Sequence, residues 1–132
     1  MGTMALRTFL VDDNLTFLTA VCGFLAQLPE VDVIGQSTRG VDALEQIEQC
    51  KPDVVLLDLA LPDVNGIDVG LTLSFWKQPP HIIILSIHDN AGYMALAEKL
   101  GALAFVNKAD FVSELPVLLG LLATRPPRET CK

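Results

Sequence analysis

Four apolar runs in this chain each end on a residue that can do chemistry. LRTFLV (6–11) ends on Asp12-Asp13, VVLL (54–57) on Asp58, the HIIILSI run (81–87) carries Ser86 near its end, and LAFVN (103–107) reaches Lys108. Three carboxylates brought within a few ångströms repel and raise one another's pKa unless a cation neutralises them. Mg²⁺ is the natural occupant: it takes oxygen ligands, keeps several waters, and is held by one or two carboxylates plus phosphate oxygens. Ca²⁺ and Mn²⁺ stay open on these residues alone, while the lack of a His or Cys cluster among them argues against zinc. With a hydroxyl and an ammonium added, such a site can stabilise a phosphoryl group. Asp58 is the natural nucleophile, because carboxylates form aspartyl-phosphate intermediates. No Gly-rich phosphate loop follows the first run; Asp-Asp-Asn-Leu stands there, which favours a covalently carried phosphate over a bound nucleotide.

Taken singly, each of these residues has a plainer role. A double Asp after a strand is often a helix N-cap, with Asp13 or Asn14 the candidate. Lys108 alone reads as a solvated loop lysine and Ser86 as a satisfied strand-end hydroxyl. Only their joint arrival at one edge reverses the odds, so the elements that position them decide the matter.

The organising stretch is PDVVLLDLALPDVNG (52–66), a continuous apolar run closed by turn residues, as a central parallel strand covered on both faces appears in sequence. A lone acid at its mouth sits where open α/β sheets place their ligands. Before it, Leu6–Val11 reads as a strand and Asn14–Leu28 as a helix with apolar residues at 15, 18, 21, 22, 25 and 28, stopped by Pro29. Val31–Ser37 alternates in part, as an edge strand does, and Gly40–Cys50 carries Val41, Leu44 and Ile47 at helical spacing. After it come a helix over Gly66–Trp76 with Ile67, Leu71, Ser74 and Phe75 on one side, a strand over His81–Ile87, a helix over Asn90–Leu100 closed by Gly101, and a strand over Leu103–Asn107. The last helix is expected from Val112 or Ser113 to Ala123, with Pro116 tolerable only in its first turn. Its apolar residues cover more than one face, so a docking surface and a broad buried face are both open. Five strand–helix alternations with short connections predict an α/β protein: a doubly wound, five-stranded parallel sheet of order 2-1-3-4-5.

The totals agree. At 132 residues, 51% hydrophobic and 19% charged, the chain suits one domain with one core. A net charge of −7 argues against direct nucleic-acid contact by this segment. Cys22, Cys50 and Cys131 form no C-x-x-C pair and are odd in number, which fits a reducing cytoplasm, with Cys22 expected as a small buried apolar residue. No stretch approaches the roughly 18 consecutive apolar residues of a membrane span. The polar, Pro-containing tail 124–132 reads as a linker after a domain spanning 6–123, a hint that a further domain follows it.

On the elements LVDD (10–13), GVDAL (40–44), PDVVLLDLALPDVNG (52–66), IIILS (82–86), GALAF (101–105) and Lys108, the chain resembles the response-regulator receiver domains of two-component signalling, with their CheY-like, flavodoxin-like (βα)5 fold. The resemblance implies that Asp58 accepts a phosphoryl group from the phosphohistidine of a sensor histidine kinase, in a Mg²⁺-dependent reaction. It implies Asp13 and Asp58 as direct Mg²⁺ ligands, Asp12 acting partly through water, and the backbone carbonyl of Ala60 completing the set. Ser86 and Lys108 would each bond a phosphoryl oxygen, and Phe105 matches the switch aromatic that turns inward as the hydroxyl moves. The domain would be a signalling phosphoacceptor that assists its own phosphorylation and dephosphorylation, not an enzyme in its own right, and phosphorylation would drive homodimerisation or release of an attached domain. Receivers most often have Pro after the lysine, in a cis linkage; Ala109 stands here, which resembles the subclass fused to LuxR-type helix-turn-helix domains and so implies a DNA-binding, transcription-regulating output. The resemblance also implies that Ala60 and His88, two residues beyond Asp58 and Ser86, tune water access and phosphate lifetime, with a histidine there able to make that lifetime pH-dependent; taken singly, His88 reads as an ordinary loop histidine.

Two other classes compete. A pseudo-receiver would keep the fold as an interaction module without the chemistry, against which the complete acidic site argues. An enzyme would be a flavodoxin-like cofactor binder, disfavoured by the missing phosphate loop, or a phosphatase with an Asp nucleophile, which usually wants a second acid where Ala60 stands.

Overall fold

The computed structural model describes residues 5–87 and 91–123. The elements are β1 (Leu6–Val11), α1 (Leu15–Leu25), β2 (Val31–Ser37), α2 (Gly40–Cys50), β3 (Val54–Leu57), α3 (Gly66–Ser74), β4 (His81–Ser86), α4 (Ala91–Lys99), β5 (Ala104–Asn107) and α5 (Phe111–Ala123). A single 3-10 turn over Lys108–Asp110 leads into α5. The five strands pair in parallel in the order β2-β1-β3-β4-β5, as the alternation of elements predicts. Every strand therefore ends on the same edge of the sheet. His88, the start of the expected fourth helix at Asn90, and the tail 124–132 with Cys131 lie outside the described residues.

Because successive strand residues face opposite sides, the sheet divides its apolar residues into two cores. Leu10, Leu56, Ile83, Leu85 and Val106 pack with Leu18, Val21 and Leu25 of α1 and Leu115, Leu119 and Leu122 of α5. Phe9, Val11, Val55, Leu57, Ile82 and Ile84 pack with Ala43 and Ile47 of α2, Leu73 of α3, Ala97 of α4, and Leu100 just after it. Burying a Leu, Ile or Phe in this way contributes roughly 1.5–3 kcal/mol per side chain. Residues 54–57 of β3 are buried on both faces, which is why they read as an unbroken apolar run.

Several details depart from the expected helices. α1 starts one residue late, with Asn14 as the N-cap whose side chain accepts from the Phe17 N–H, and it stops at Leu25, before Leu28. Val41 of α2 and Phe75 after α3 face solvent, Phe75 at 85% exposure; Gly40, Ala43 and Ile47 turn inward in α2 and Ile67, Gly70 and Leu73 in α3. Gly40 lies against Val64 and Val69, and Gly70 against Leu100, with no room for a Cβ. α5 starts at Phe111, so Pro116 falls beyond the first turn, where it has no N–H to donate to the carbonyl of exposed Val112. On α5, Leu115, Leu119 and Leu122 are buried while Val117 and Leu121 are exposed. The surplus apolar residues thus face outward, not into a broad buried face. Cys22 is half-buried and donates to Gln36 Oε1 at 3.0 Å, so it is not the purely apolar filler expected. Among the described residues, no helix is long and apolar enough to cross a membrane.

Two glycines make a matched test of this packing. A Cβ at Gly66 would run into the backbone of Asp58 and Leu59, which cannot yield, whereas a Cβ at Gly23 of α1 meets nothing within 4 Å. Gly66→Ala is expected to destabilise by about 2–3 kcal/mol, and Gly23→Ala to stabilise by up to about 1 kcal/mol. Urea melts of the two variants check the contrast.

Candidate functional site

The sheet register assembles the site. Val11 is level with Leu57 and Leu57 with Ile84, and the Asp58 N–H donates to the Val11 carbonyl at 2.9 Å, so Asp12 and Asp58 emerge side by side. Ser86 is level with Asn107, one residue short of Lys108. Asp12, Asp13 and Asp58 each offer a carboxylate oxygen, and these oxygens lie within 4.8 Å of one another. Asp12, Asp58 and Ser86 are buried and Asp13 is exposed. Asp13, Asn14, Phe17, Asp58, Ala60, Ile87, Lys108 and Ala109 line an open depression over Asp58.

Lys108 reaches into this edge from the 3-10 turn after β5. Asn107 fixes that turn by accepting from the Ala109 N–H at 2.9 Å, a contact available because residue 109 is not proline. The Lys108 ammonium lies 2.6 Å from Asp12 Oδ2 and 3.4 Å from Asp58 Oδ2, with its side chain only 13% exposed. It also sits 4.6 Å from the centroid of the Phe17 ring, a contact that sequence spacing did not single out. Asp12 Oδ1 accepts from the Asn14 N–H at 2.9 Å. Asp12 Oδ2 is buried without a hydrogen bond among the described residues, since the close ammonium is not aligned for one. A buried carboxylate oxygen left to a bare charge contact, in a donor set made only of oxygens, fits a hard divalent cation.

The loop from Asp58 to Gly66 is held at both ends. The Ala60 N–H donates to Asp58 Oδ1 at 3.4 Å, Ala60 bridges to Asn65, and the Gly66 N–H donates to the Leu59 carbonyl at 2.9 Å. Asn65 caps α3 by accepting from the Ile67 N–H. Asp63 clips the loop to the neighbouring helix, accepting from the Gly40 and Val41 N–H groups at 2.8 and 3.0 Å at the α2 N-terminus. Sequence reasoning did not pick out Asp63, whose partners are more than twenty residues away.

Electrostatics separate the two acids. Burial raises the Asp58 carboxyl above its ordinary pKa and the Asp12 charge raises it further; Lys108 and the Ala60 N–H pull the other way. The N–H groups of Val41 and Gly40 hold Asp63 below its ordinary value. Phe105 is half-buried on β5, level with Ile84, and packs on the α2–α4 side of the sheet.

With the geometry in place, the comparisons fall on one family. The response regulator receiver domain family matches residues 8–117, and the chain belongs to it. Among curated proteins, it is 32% identical over 103 residues to the transcriptional regulatory protein DegU of Brevibacillus brevis, covering 78% of this chain and 44% of that one. It is also 32% identical over 105 residues to a protein-glutamate methylesterase/protein-glutamine glutaminase of Pyrococcus abyssi, covering 78% of this chain and 28% of that one. The chain thus spans less than half the length of either relative. Among solved structures, the signal receiver domain of the putative response regulator NarL from Mycobacterium tuberculosis superposes with a TM-score of 0.84 at 28% identity, covering 92% of this chain and 99% of that one.

Two predictions follow from the charges. Asp58 carries a raised pKa, so its charged form costs folding stability once pH rises through that value; Asp58→Asn is expected to stabilise the metal-free protein at neutral pH by about 1 kcal/mol, read as a higher Tm in chelator. Asp63 has the opposite sign. Its contribution is present above the ordinary carboxylate range and is lost as pH falls from about 4 toward its lowered folded value. Asp63→Asn is expected to flatten that part of the stability–pH curve, measured by urea melts at stepped acid pH.

Proposed function

We propose that this domain is the phosphoacceptor switch of a two-component response regulator. The observation that carries the proposal is the convergence of Asp12, Asp13 and Asp58 within 4.8 Å beside the Lys108 ammonium. A carboxylate oxygen of Asp58 attacks the phosphorus of a phosphohistidine on a sensor histidine kinase. The new O–P bond forms as the N–P bond breaks, and the departing imidazole takes up a proton. Asp13 and Asp58 would hold Mg²⁺ directly, Asp12 partly through water, and the Ala60 carbonyl would complete the protein's share. An ion held there would supply neutralisation of the charge that builds on the phosphoryl oxygens. Ser86 and Lys108 each bond a phosphoryl oxygen, and Phe105 moves with Ser86 to change the α4–β5–α5 surface. The domain assists its own phosphorylation and hydrolysis without being an enzyme acting on separate substrates.

The domain runs over 6–123, with 124–132 as linker to an output of the LuxR helix-turn-helix type. DegU, whose name makes it a transcriptional regulator, supports that output, while the methylesterase relative has a different one. The receiver itself makes no nucleic-acid contact, in keeping with its net charge of −7, and works in the cytoplasm. Exposed Val117 and Leu121 on α5 suit contact with a second copy or with the output domain.

Incubation with acetyl phosphate and Mg²⁺ followed by intact mass tests this. Wild type is expected to gain one phosphoryl group, and to gain none in chelator; Asp58→Asn is expected to stay unmodified throughout. If wild type also stays unmodified, the acceptor role is wrong. Mg²⁺ at about 100 times its Kd is expected to stabilise the wild type by about 2.7 kcal/mol, and Asp13→Ala is expected to lose most of that gain in a thermal melt.

A further inference from the structure

The strand alternation sends the site's residues to different sides of the sheet. Leu10, Leu56 and Val106 face α1 and α5, the same parity carried two residues on places Asp12 and Asp58 toward that face, and Lys108 reaches it from the 3-10 turn to meet Phe17 of α1. Ile82, Ile84 and Phe105 face α2–α4, and Ser86 shares their parity. A signal passing through Ser86 and Phe105 therefore leaves by one face only. On the other face, Lys108 touches an aromatic cluster. Its ammonium lies 4.6 Å from the Phe17 ring centroid. Phe17 meets Phe111, the first residue of α5, edge-to-face at 5.4 Å and 82°. Phe111 meets Phe24, two turns along α1 from Phe17, at 5.5 Å and 82°.

We propose that Phe17 is a positioning residue that holds the Lys108 ammonium between Asp12 and Asp58, and that the Phe17–Phe111 contact carries any movement of that ammonium to helix α5. The proposal rests on the phosphoacceptor reading for what moves the lysine, but its first half does not need phosphate. An aromatic face attracts an ammonium through its quadrupole, and edge-to-face ring pairs have a preferred geometry that transmits tilt. A second output thus runs from the site into the start of α5, on the side away from Phe105. Leucine at 17 would fill comparable space without the π face; tyrosine would keep the face.

The test uses the full chain and the variants Phe17→Leu and Phe17→Tyr, with 3,4,5-trifluorophenylalanine at position 17 as a third form that keeps ring shape while weakening the quadrupole. In metal-free protein, the Lys108 ε-methylene protons are expected to be shifted upfield by the ring current, and to return toward ordinary values in Phe17→Leu but not in Phe17→Tyr. With acetyl phosphate and Mg²⁺, Phe17→Leu is expected to phosphorylate more slowly by roughly three- to thirtyfold, the span a cation–π contact commands, with Phe17→Tyr near wild type and the trifluoro form between. The amides at the start of α5 are expected to lose their phosphorylation-induced shifts in Phe17→Leu, while those around Phe105 keep theirs. Equal rates and equal α5 responses in wild type, Phe17→Leu and the trifluoro form overturn the proposal. If wild type takes no phosphate yet the Lys108 protons still depend on Phe17, the acceptor reading falls and the positioning role stands.

Discussion

One ammonium held against two buried carboxylates is the constraint around which this molecule is arranged. Burying a charge is costly unless a counter-charge and hydrogen bonds accompany it. Lys108 supplies the counter-charge at 2.6 and 3.4 Å, and backbone N–H groups of Asn14 and Ala60 supply the hydrogen bonds. Helices α1 and α5, which flank that edge, carry a single acidic or basic side chain between them, Glu114. The third acid, Asp13, stays exposed, where water screens it. The balance at the edge is thus set locally, and adding either a divalent cation or a phosphoryl group must upset it.

A parallel sheet is what makes such a cluster possible from residues 12, 58 and 108. Parallel strands all deliver their ends to one edge, and the crossover helices keep both faces dry. Register does the rest: the pairing of Val11 with Leu57 puts two acids side by side, and the pairing of Ser86 with Asn107 sets how far Lys108 must reach. A slip of one residue in β1 or β3 would send Asp12 or Asp58 to the opposite face and leave Lys108 with one partner.

Much of this was legible in the chain itself. Residues buried on both faces leave an unbroken apolar run, so β3 and β4 stand out, and the residue closing each run is the one at the functional edge. Strand order followed from the alternation of elements. Helix faces were harder. When half the residues are hydrophobic, more than one helical stripe satisfies the spacing, and the packing of Gly40, Gly66 and Gly70 against other elements decides which one turns inward; Val41 and Phe75 were placed on the wrong side for that reason. Pro116 misled because the 3-10 turn starts α5 earlier than the apolar pattern does. Phe17 and Asp63 make their contacts across long sequence distances, Phe17 as one aromatic outside the apolar stripe of its helix and Asp63 as one acid in a loop, and neither leaves a local pattern.

The charge balance also says which residue has to respond when the site changes state. A phosphoryl group on Asp58 would place new negative oxygens beside Asp13 and beside Asp12, whose Oδ1 is already held by the Asn14 N–H. Ser86 can offer a hydroxyl proton but no charge. Lys108 is the one cationic side chain in contact with the cluster among the described residues, on a flexible stem, and its present partner Asp12 Oδ2 holds it by charge without an aligned hydrogen bond. Such a contact gives way readily to a better-oriented acceptor. Whatever lies against the ammonium then loses or changes its contact, and here that is the face of Phe17, whose ring is already wedged against the first residue of α5.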